Sequence, residues 1–196
     1  MPIPNFEATG ALPVFCGADA IAPASRSPHQ ASMIEFVEKF CSSRERARLL
    51  LGLNSYRKHL FSGGFLGGAQ WIDGSFVEDV EKTRGRAPRD IDVVTLFERP
   101  LAYQSAEQKW MSDYRGFIHK SYFSAREMKV MFSCDAYGVD LALSPSIVVR
   151  NTTYWFGLFS DIRNSPRKKG IVEIPLSRDP AEFAHLEGEI RSRFDV

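Results

Sequence analysis

The sequence predicts an α+β fold, with a helical hairpin followed by a small mixed β-sheet and flanking helices. The first observation is an apolar stripe at helical spacing, which comprises Met33, Phe36, Val37 and Phe40. The second is a series of short β-branched segments after residue 68 that alternate with helical patterns. The third is the composition, because 44% hydrophobic and 12% aromatic residues in a chain of 196 can supply the core of one domain.

The chain is expected to divide into an arm and one domain. Residues 1–27 are rich in Pro, Gly, Ala and Ser and predict an extended N-terminal arm, while residues 28–196 are expected to form a single domain. Within that domain we expect a helical hairpin at 28–62, a core at 68–145, and a C-terminal strand and helices at 146–196.

Local signals place the individual elements. Ser27-Pro28 offers an N-cap followed by a proline in the first turn, and Ser42 with Glu45 forms a capping box for a second helix. The glycines of 63–68 end that helix. After them we expect strands at 69–72, 90–97, 139–143 and 171–176, and helices at 76–82, 106–117, 125–132 and 180–193.

Charge and composition exclude several classes of protein. The 25 Lys and Arg residues nearly balance the 24 Asp and Glu residues, and a net charge of +1 argues against a protein that coats nucleic acid. The apolar stretch 10–21 is interrupted by Pro13, Gly17 and Asp19 and predicts neither a signal peptide nor a membrane span. Three cysteines without CxxC spacing and four dispersed histidines indicate neither a disulfide framework nor a zinc site. We therefore expect a cytoplasmic protein without a membrane partner.

Three aspartates are the candidate catalytic and metal-binding residues. Asp90 and Asp92 are two positions apart in a predicted strand, so their side chains point to the same face. Two adjacent carboxylates repel each other unless a cation such as Mg²⁺ lies between them. Asp140 lies in another, otherwise apolar strand, where a buried carboxylate is unfavourable unless it is paired or bound to metal. If the two strands are neighbours, the three carboxylates form one site.

Gly74-Ser75 supplies a candidate phosphate-binding turn directly after a predicted strand. Glycine permits close approach of the backbone to a phosphate, and the serine hydroxyl can bind a phosphate oxygen. We interpret the preceding Asp73 as a turn residue or as a residue that supports the ligand-binding side chains from behind. The turn and the carboxylates together predict two-metal nucleotidyl transfer, in which one ion activates the attacking hydroxyl and the other stabilises the leaving pyrophosphate.

The order of these motifs resembles the polymerase-β-like nucleotidyltransferase superfamily. The residues that carry the resemblance are the segment 71–75 (WIDGS), then Asp90-Ile91-Asp92, then Asp140. Within the superfamily the chain is most similar to small, largely uncharacterised bacterial nucleotidyltransferase-like proteins. The resemblance implies a nucleotidyltransferase core that uses two Mg²⁺ ions, or Mn²⁺ in their place. It further implies that Ser75 touches the β- and γ-phosphates, that Asp90 and Asp92 bind both metals, and that Asp140 completes the catalytic metal site.

Basic residues near these motifs are candidate nucleotide ligands. The connector between Ser75 and Asp90 is longer than is usual in that superfamily, and Arg89 at its end could orient Asp90 or meet the triphosphate. Lys168 belongs to a second basic cluster at 163–169, which could clamp phosphate or dock an acidic acceptor such as RNA. The alternative for both is an ordinary solvated surface.

The leading hypothesis is an enzyme that transfers a nucleoside monophosphate from a nucleoside triphosphate to an acceptor. The resemblance implies tRNA, a nucleotide or a protein as acceptor, in a bacterial toxin–antitoxin or phage-defence system with a partner protein from the same operon. The alternative is a catalytically weak nucleotide-binding module that acts through a protein partner, with the arm 1–27 as its docking element. The presence of all three carboxylates favours catalysis.

Overall fold

The computed structural model describes residues 3–17, 19 and 21–196 and shows a mixed α/β architecture. Its strands are β1 (His29–Gln30), β2 (Gly68–Asp73), β3 (Ile91–Phe97), β4 (Cys134–Asp140) and β5 (Val172–Pro175). Its helices are α1 (Met33–Phe40), α2 (Arg44–Ser62), α3 (Val80–Arg84), α4 (Glu107–Asp113), α5 (His119–Tyr122), α6 (Ala125–Phe132), α7 (Pro145–Phe159) and α8 (Ala181–Arg193). In this part of the chain, no helix is long and apolar enough to cross a membrane.

The strands form one mixed sheet in the order β1-β5-β2-β3-β4. Strand β2 is antiparallel to both of its neighbours, β3 and β5. Strands β3 and β4 are parallel, and the chain between them passes through α4, α5 and α6. As a result, the end of β2 and the starts of β3 and β4 lie at one edge of the sheet.

The two faces of the sheet are covered differently. On one face, Ile72, Val93 and Ala136 belong to the main core, which also contains buried residues of α1, α2, α6 and α8. On the other face, a smaller cluster includes Val94 and Val139 and packs under α7. Because side chains alternate along a strand, every second residue of β2, β3 and β4 points to the α7 side.

The first helix begins later than the sequence predicts. Ser32, not Ser27, caps α1: its hydroxyl accepts a hydrogen bond from the Glu35 amide, and the Glu35 carboxylate accepts one from the Ser32 amide. Residues 29–30 instead pair with β5 as an edge strand.

The expected capping box of Ser42 and Glu45 is wrong, because Ser43 caps α2 and its hydroxyl accepts a hydrogen bond from the Arg46 amide. The most extensive helix contact of α2 is with α8 rather than with α1, so the expected hairpin is not the main packing unit.

The N-terminal arm is attached to the domain and is not extended throughout, because Pro23–Ser25 form a 3₁₀ turn and Phe15 pairs with Arg26 in an antiparallel bridge. Leu12 is fully buried, whereas Val14 is exposed. The Gly170 amide donates to the Leu12 carbonyl at 2.8 Å, and the Asp79 amide donates to the Gly10 carbonyl at 2.7 Å. The arm therefore packs along the turns that follow β2 and precede β5.

The third strand begins five residues earlier and ends three residues earlier than the sequence predicts. We expected it at 139–143, but β4 runs over Cys134–Asp140. The segment contains Gly138, which is rare within strands, and the Phe123 ring packs against this glycine so closely that a Cβ would contact it at 2.7 Å. The tertiary contact therefore stabilises a strand that local propensity disfavours.

Two of the expected helices are also modified. The helix expected at 76–82 is a 3₁₀ turn at Gly74–Val77 followed by α3, which Asp79 caps. The helix expected at 106–117 is α4 followed by a π-helical turn at Tyr114–Ile118.

Asp140 lies at the end of β4 in a buried hydrogen-bonded cluster. Its Oδ2 accepts from Arg99 Nε at 2.8 Å and from Trp110 Nε1 at 2.9 Å, and its Oδ1 accepts from the Ala142 amide at 2.9 Å. Arg99 also pairs with Glu107 on α4. These contacts give Asp140 a structural role, since it fastens the chain after β3 to α4.

We predict that Asp140→Ala lowers the free energy of unfolding by about 3–5 kcal/mol, because it leaves the buried Arg99 guanidinium without its buried partner. Asp161→Ala is the control, since it removes a carboxylate from an exposed ion pair and is expected to change stability by at most about 1 kcal/mol. Urea denaturation measures both variants. Equal stability of the two would contradict a structural role for Asp140.

Candidate active site

Four aspartates lie close together at one edge of the sheet, and three of them lie side by side on the face that α7 covers. Asp73 ends β2 and pairs in register with Asp92 of β3, and Asp92 pairs with Asp135 of β4. Asp90 directly precedes β3 and is linked to Asp135 through a shared lysine. Directly opposite residues on antiparallel strands have Cβ atoms about 4.5–5.5 Å apart, so these carboxylates repel each other. We call Asp73, Asp90, Asp92 and Asp135 the aspartate row.

A lysine lies at each end of the aspartate row. Lys129 Nζ is 2.6 Å from Asp90 Oδ2 and 2.8 Å from Asp135 Oδ2. Lys169, only 3% exposed, places its Nζ 3.1 Å from Asp73 Oδ2. These ammonium groups offset part of the repulsion among the carboxylates.

Asp92 occupies the middle of the row and makes no hydrogen bond or ion pair with any residue that the structure describes. Burial raises the pKa of Asp92, and the neighbouring charges of Asp90 and Asp135 raise it further. Lys169 and Arg163 act in the opposite direction. The Asp92 oxygens are therefore free to bind a ligand, and a bound cation would relieve the repulsion.

The glycine of the Gly74-Ser75 turn is required by its contact with Asp92. Gly74 has φ +79°, a left-handed conformation that favours glycine, and a Cβ at this position would overlap Asp92 Oδ2. Ser75 follows in the 3₁₀ turn, half-buried, and its hydroxyl makes no hydrogen bond within the described chain. The structure thus brings Gly74 and Ser75 next to Asp92, as the sequence predicts.

Two buried cations hold this turn in place. Lys169 Nζ donates to the Gly74 carbonyl at 2.9 Å and to Glu78 Oε1 at 3.0 Å. From α2, the buried Arg46 guanidinium donates to the Phe76 carbonyl at 2.7 Å and to the Glu78 carbonyl at 2.6 Å. The backbone on both sides of Ser75 is therefore fixed by side chains from distant parts of the chain.

Asp73 is more than the turn residue that the sequence suggests. Burial raises the pKa of Asp73 to about 7, although Lys169 opposes the shift. Its Oδ1 is buried and has no hydrogen-bond partner among the described residues. An unsatisfied buried oxygen beside a free carboxylate marks a place where a ligand can complete the hydrogen bonding or coordination.

The prediction that Asp140 joins Asp90 and Asp92 is wrong. Strands β3 and β4 are neighbours, but Asp140 pairs in register with Phe97, at the opposite end of β3 from Asp92. It lies five residues from Asp135, which corresponds to about 16 Å along a strand, and it bonds to Trp110 of the main core.

Asp135 takes the position that Asp140 was expected to fill. The signal that could have found it is its alternation with the apolar neighbours Cys134 and Ala136, the same pattern that Asp92 shows between Ile91 and Val93. Lys169 has no comparable signal, because its partner Asp73 is distant in sequence, and the contact of Lys129 with Asp90 depends on the pairing of β3 with β4.

The basic residues predicted to bind nucleotide lie at the rim of the site or outside it. Arg89 is exposed beside Asp90. Lys168 is exposed and pairs with Asp161, so Lys169, rather than Lys168, reaches the glycine turn. Arg163, in the same loop, is close enough to Asp92 for its charge to lower the pKa of that carboxyl.

The aspartate row fits a divalent cation in its chemistry. Carboxylate oxygens are the ligands that Mg²⁺ prefers, and Asp92 and Asp73 Oδ1 have unused lone pairs. Over the described ranges, no group of three or more His, Cys, Asp or Glu side chains is already gathered as a metal site. Lys129 contacts one oxygen each of Asp90 and Asp135, and Lys169 contacts one oxygen of Asp73.

Comparison with known proteins identifies one family. A model described as "Family of unknown function (DUF6932)" matches residues 4–175, a range that includes the whole aspartate row, the glycine turn and both lysines. No curated protein and no solved structure matches the chain significantly.

We predict that Lys169→Met lowers the free energy of unfolding by about 3–5 kcal/mol, because it leaves the buried carboxylates of Asp73 and Glu78 without this cation. Its neighbour Lys168→Met is the control, since Lys168 belongs to an exposed pair worth at most about 1 kcal/mol. Urea denaturation at neutral pH compares them. Similar stability of the two variants would show that Lys169 does not hold the turn.

Proposed function

The chain belongs to the DUF6932 family, and we propose that it is a metal-dependent nucleotidyltransferase. The observation that carries the proposal is the placement of Asp92, unpartnered, between Asp73 and Asp135 and directly against the Gly74-Ser75 turn. A free carboxylate flanked by two others is suited to bind a divalent cation, and a free serine hydroxyl in a glycine turn beside it is suited to bind phosphate.

The proposal assigns a role to each residue of the site. Asp92 would hold Mg²⁺, or Mn²⁺ in its place, together with the oxygens of Asp90 and Asp135 that Lys129 does not contact, and the ion would activate the acceptor hydroxyl and neutralise charge on the triphosphate. The Ser75 hydroxyl would donate to a phosphate oxygen, and Gly74 allows the Asp92 carboxylate to lie directly against the turn that carries Ser75. Arg163 and Arg89 would meet the phosphate charge at the rim.

The order of the motifs supports the same proposal. A Gly-Ser turn, an Asp-x-Asp pair and a third aspartate on a neighbouring strand are the arrangement in the polymerase-β-like nucleotidyltransferases that this chain resembles. With Asp135 in place of Asp140, all of these residues lie at one edge of one sheet. No protein base is needed beyond the carboxylates.

The acceptor would approach through a basic rim. Exposed basic residues flank the site in the connector before Asp90 and in the loop after α7, namely Lys82, Arg84, Arg86, Arg89, Arg163, Arg167 and Lys168. The positive charge of this rim favours an anionic acceptor, such as tRNA or a nucleotide, over an uncharged molecule. The proposal also allows a protein as acceptor. It places the enzyme in the cytoplasm, in a toxin–antitoxin or phage-defence system, with a partner protein from the same operon.

The second candidate is a catalytically weak module that binds nucleotide and acts through a partner protein. One observation favours it: Lys129 and Lys169 already neutralise part of the aspartate row without any metal. Both candidate functions include nucleotide binding, but only the enzyme is expected to turn the nucleotide over.

We predict that the protein with Mg²⁺ transfers label from an α-labelled nucleoside triphosphate to itself, to tRNA or to another nucleotide, and releases pyrophosphate. Asp92→Asn and Asp135→Asn are each expected to reduce this rate on the order of 100-fold or more, because both remove charge that would hold the metal. Asp161→Asn, an exposed carboxylate outside the site, is the matched control.

The outcomes separate the two candidates. Binding of the triphosphate without pyrophosphate release would support the binding module. A transfer rate that is unaffected by Asp92→Asn would contradict the proposed site.

A further inference from the structure

The position of Lys129 limits the number of metal ions that the site can hold. The inference drawn from this position rests on the proposed metal-dependent function. Its ammonium lies between carboxylates of two neighbouring strand starts, 2.6 Å from Asp90 Oδ2 and 2.8 Å from Asp135 Oδ2. Two carboxylates around one centre are also what a divalent ion requires, at about 2.0–2.1 Å for Mg²⁺. Because both cations would use the same oxygens, they cannot occupy this position together.

The chain around Lys129 anchors it to the site. Lys129 lies in the last turn of α6, and a single residue, Ser133 in a left-handed conformation, connects that helix to β4. The Ile91 amide donates to the Ser133 carbonyl at 3.1 Å, which also fastens the connection to β3. The short connection at Ser133 therefore positions both Lys129, in the last turn of α6, and Asp135, near the start of β4.

The remaining charges leave one position open in the row. Lys169 occupies one side of Asp73, and Lys129 occupies the space between Asp90 and Asp135. Asp92 alone has no partner among the residues described.

We propose that the Lys129 ammonium fills one of the two cation positions of the aspartate row, so that each chain binds a single divalent cation, at Asp92. Lys129 thereby acts as a positioning residue, a fixed positive charge that holds Asp90 and Asp135 where a second ion would hold them. The site then differs from a two-metal site in its stoichiometry.

The test is a Mn²⁺ titration of the full chain, in which electron paramagnetic resonance measures the free ion. The wild type is expected to bind about one Mn²⁺ per chain, and Lys129→Met about two, because the variant frees the oxygens of Asp90 and Asp135. Lys129→Arg keeps a cation in place and is expected to bind about one. Lys109→Met removes a lysine from another helical ion pair with an aspartate and serves as the matched control, also with about one.

Each result of the titration supports or overturns the inference that the aspartate row binds a single divalent cation. Two ions bound by the wild type, or one ion bound by a folded Lys129→Met, would overturn the inference and leave the proposed function standing. If Lys129→Met does not fold, the wild type and Lys129→Arg decide, since more than one ion bound by either contradicts a filled position. If the wild type binds none, both the inference and the proposed metal-dependent function fail.

Discussion

Repulsion within the aspartate row is the constraint on which the rest of the site depends. Three strands place carboxylates side by side on one face, and such a group is unfavourable unless cations accompany it. The fold supplies those cations from segments outside the three strands, Lys129 from α6 and Lys169 from the segment before β5. Buried charge of this kind is poor evidence of a contribution to stability, because replacement of such groups by apolar residues is often neutral or stabilising. Its presence at one edge of the sheet points to function.

The sheet topology makes the row possible. Strand β2 ends where β3 begins because the two are antiparallel, and β4 begins at the same edge because it is parallel to β3. The crossover through α4, α5 and α6 returns the chain to that edge and delivers Lys129 there. The Asp140 cluster at the opposite edge holds α4 against the core and so supports the crossover. The two acidic ends of β4 therefore have separate places in the fold, since Asp135 belongs to the aspartate row and Asp140 to a buried structural cluster.

Local patterns predicted much of the fold and half of the site. The stripe in α1, the β-branched run of β3 and the final helix all depend on residues close in sequence, and the structure contains each of them close to the expected place. The prediction that α1 starts at Ser27-Pro28 was wrong, because Ser32 and Glu35 cap the helix and the residues after Pro28 extend the sheet. The strand β4 was misplaced because Gly138 and Cys134 have weak strand propensity, and packing against Phe123 and the β3 ladder compensates.

By itself, the sequence determined the parts of the site whose geometry is local: Asp90 and Asp92 on one face, and a glycine followed by serine after a strand. The side chains in those pairs are related by strand alternation and by one turn, which do not depend on the remainder of the chain. Only the tertiary structure decided that Asp135, not Asp140, joins them, because strand register is set by long-range pairing and packing. It alone also decided the contacts of Lys129 with Asp90 and of Lys169 with Asp73, since each of these pairs joins segments that meet only in the folded protein.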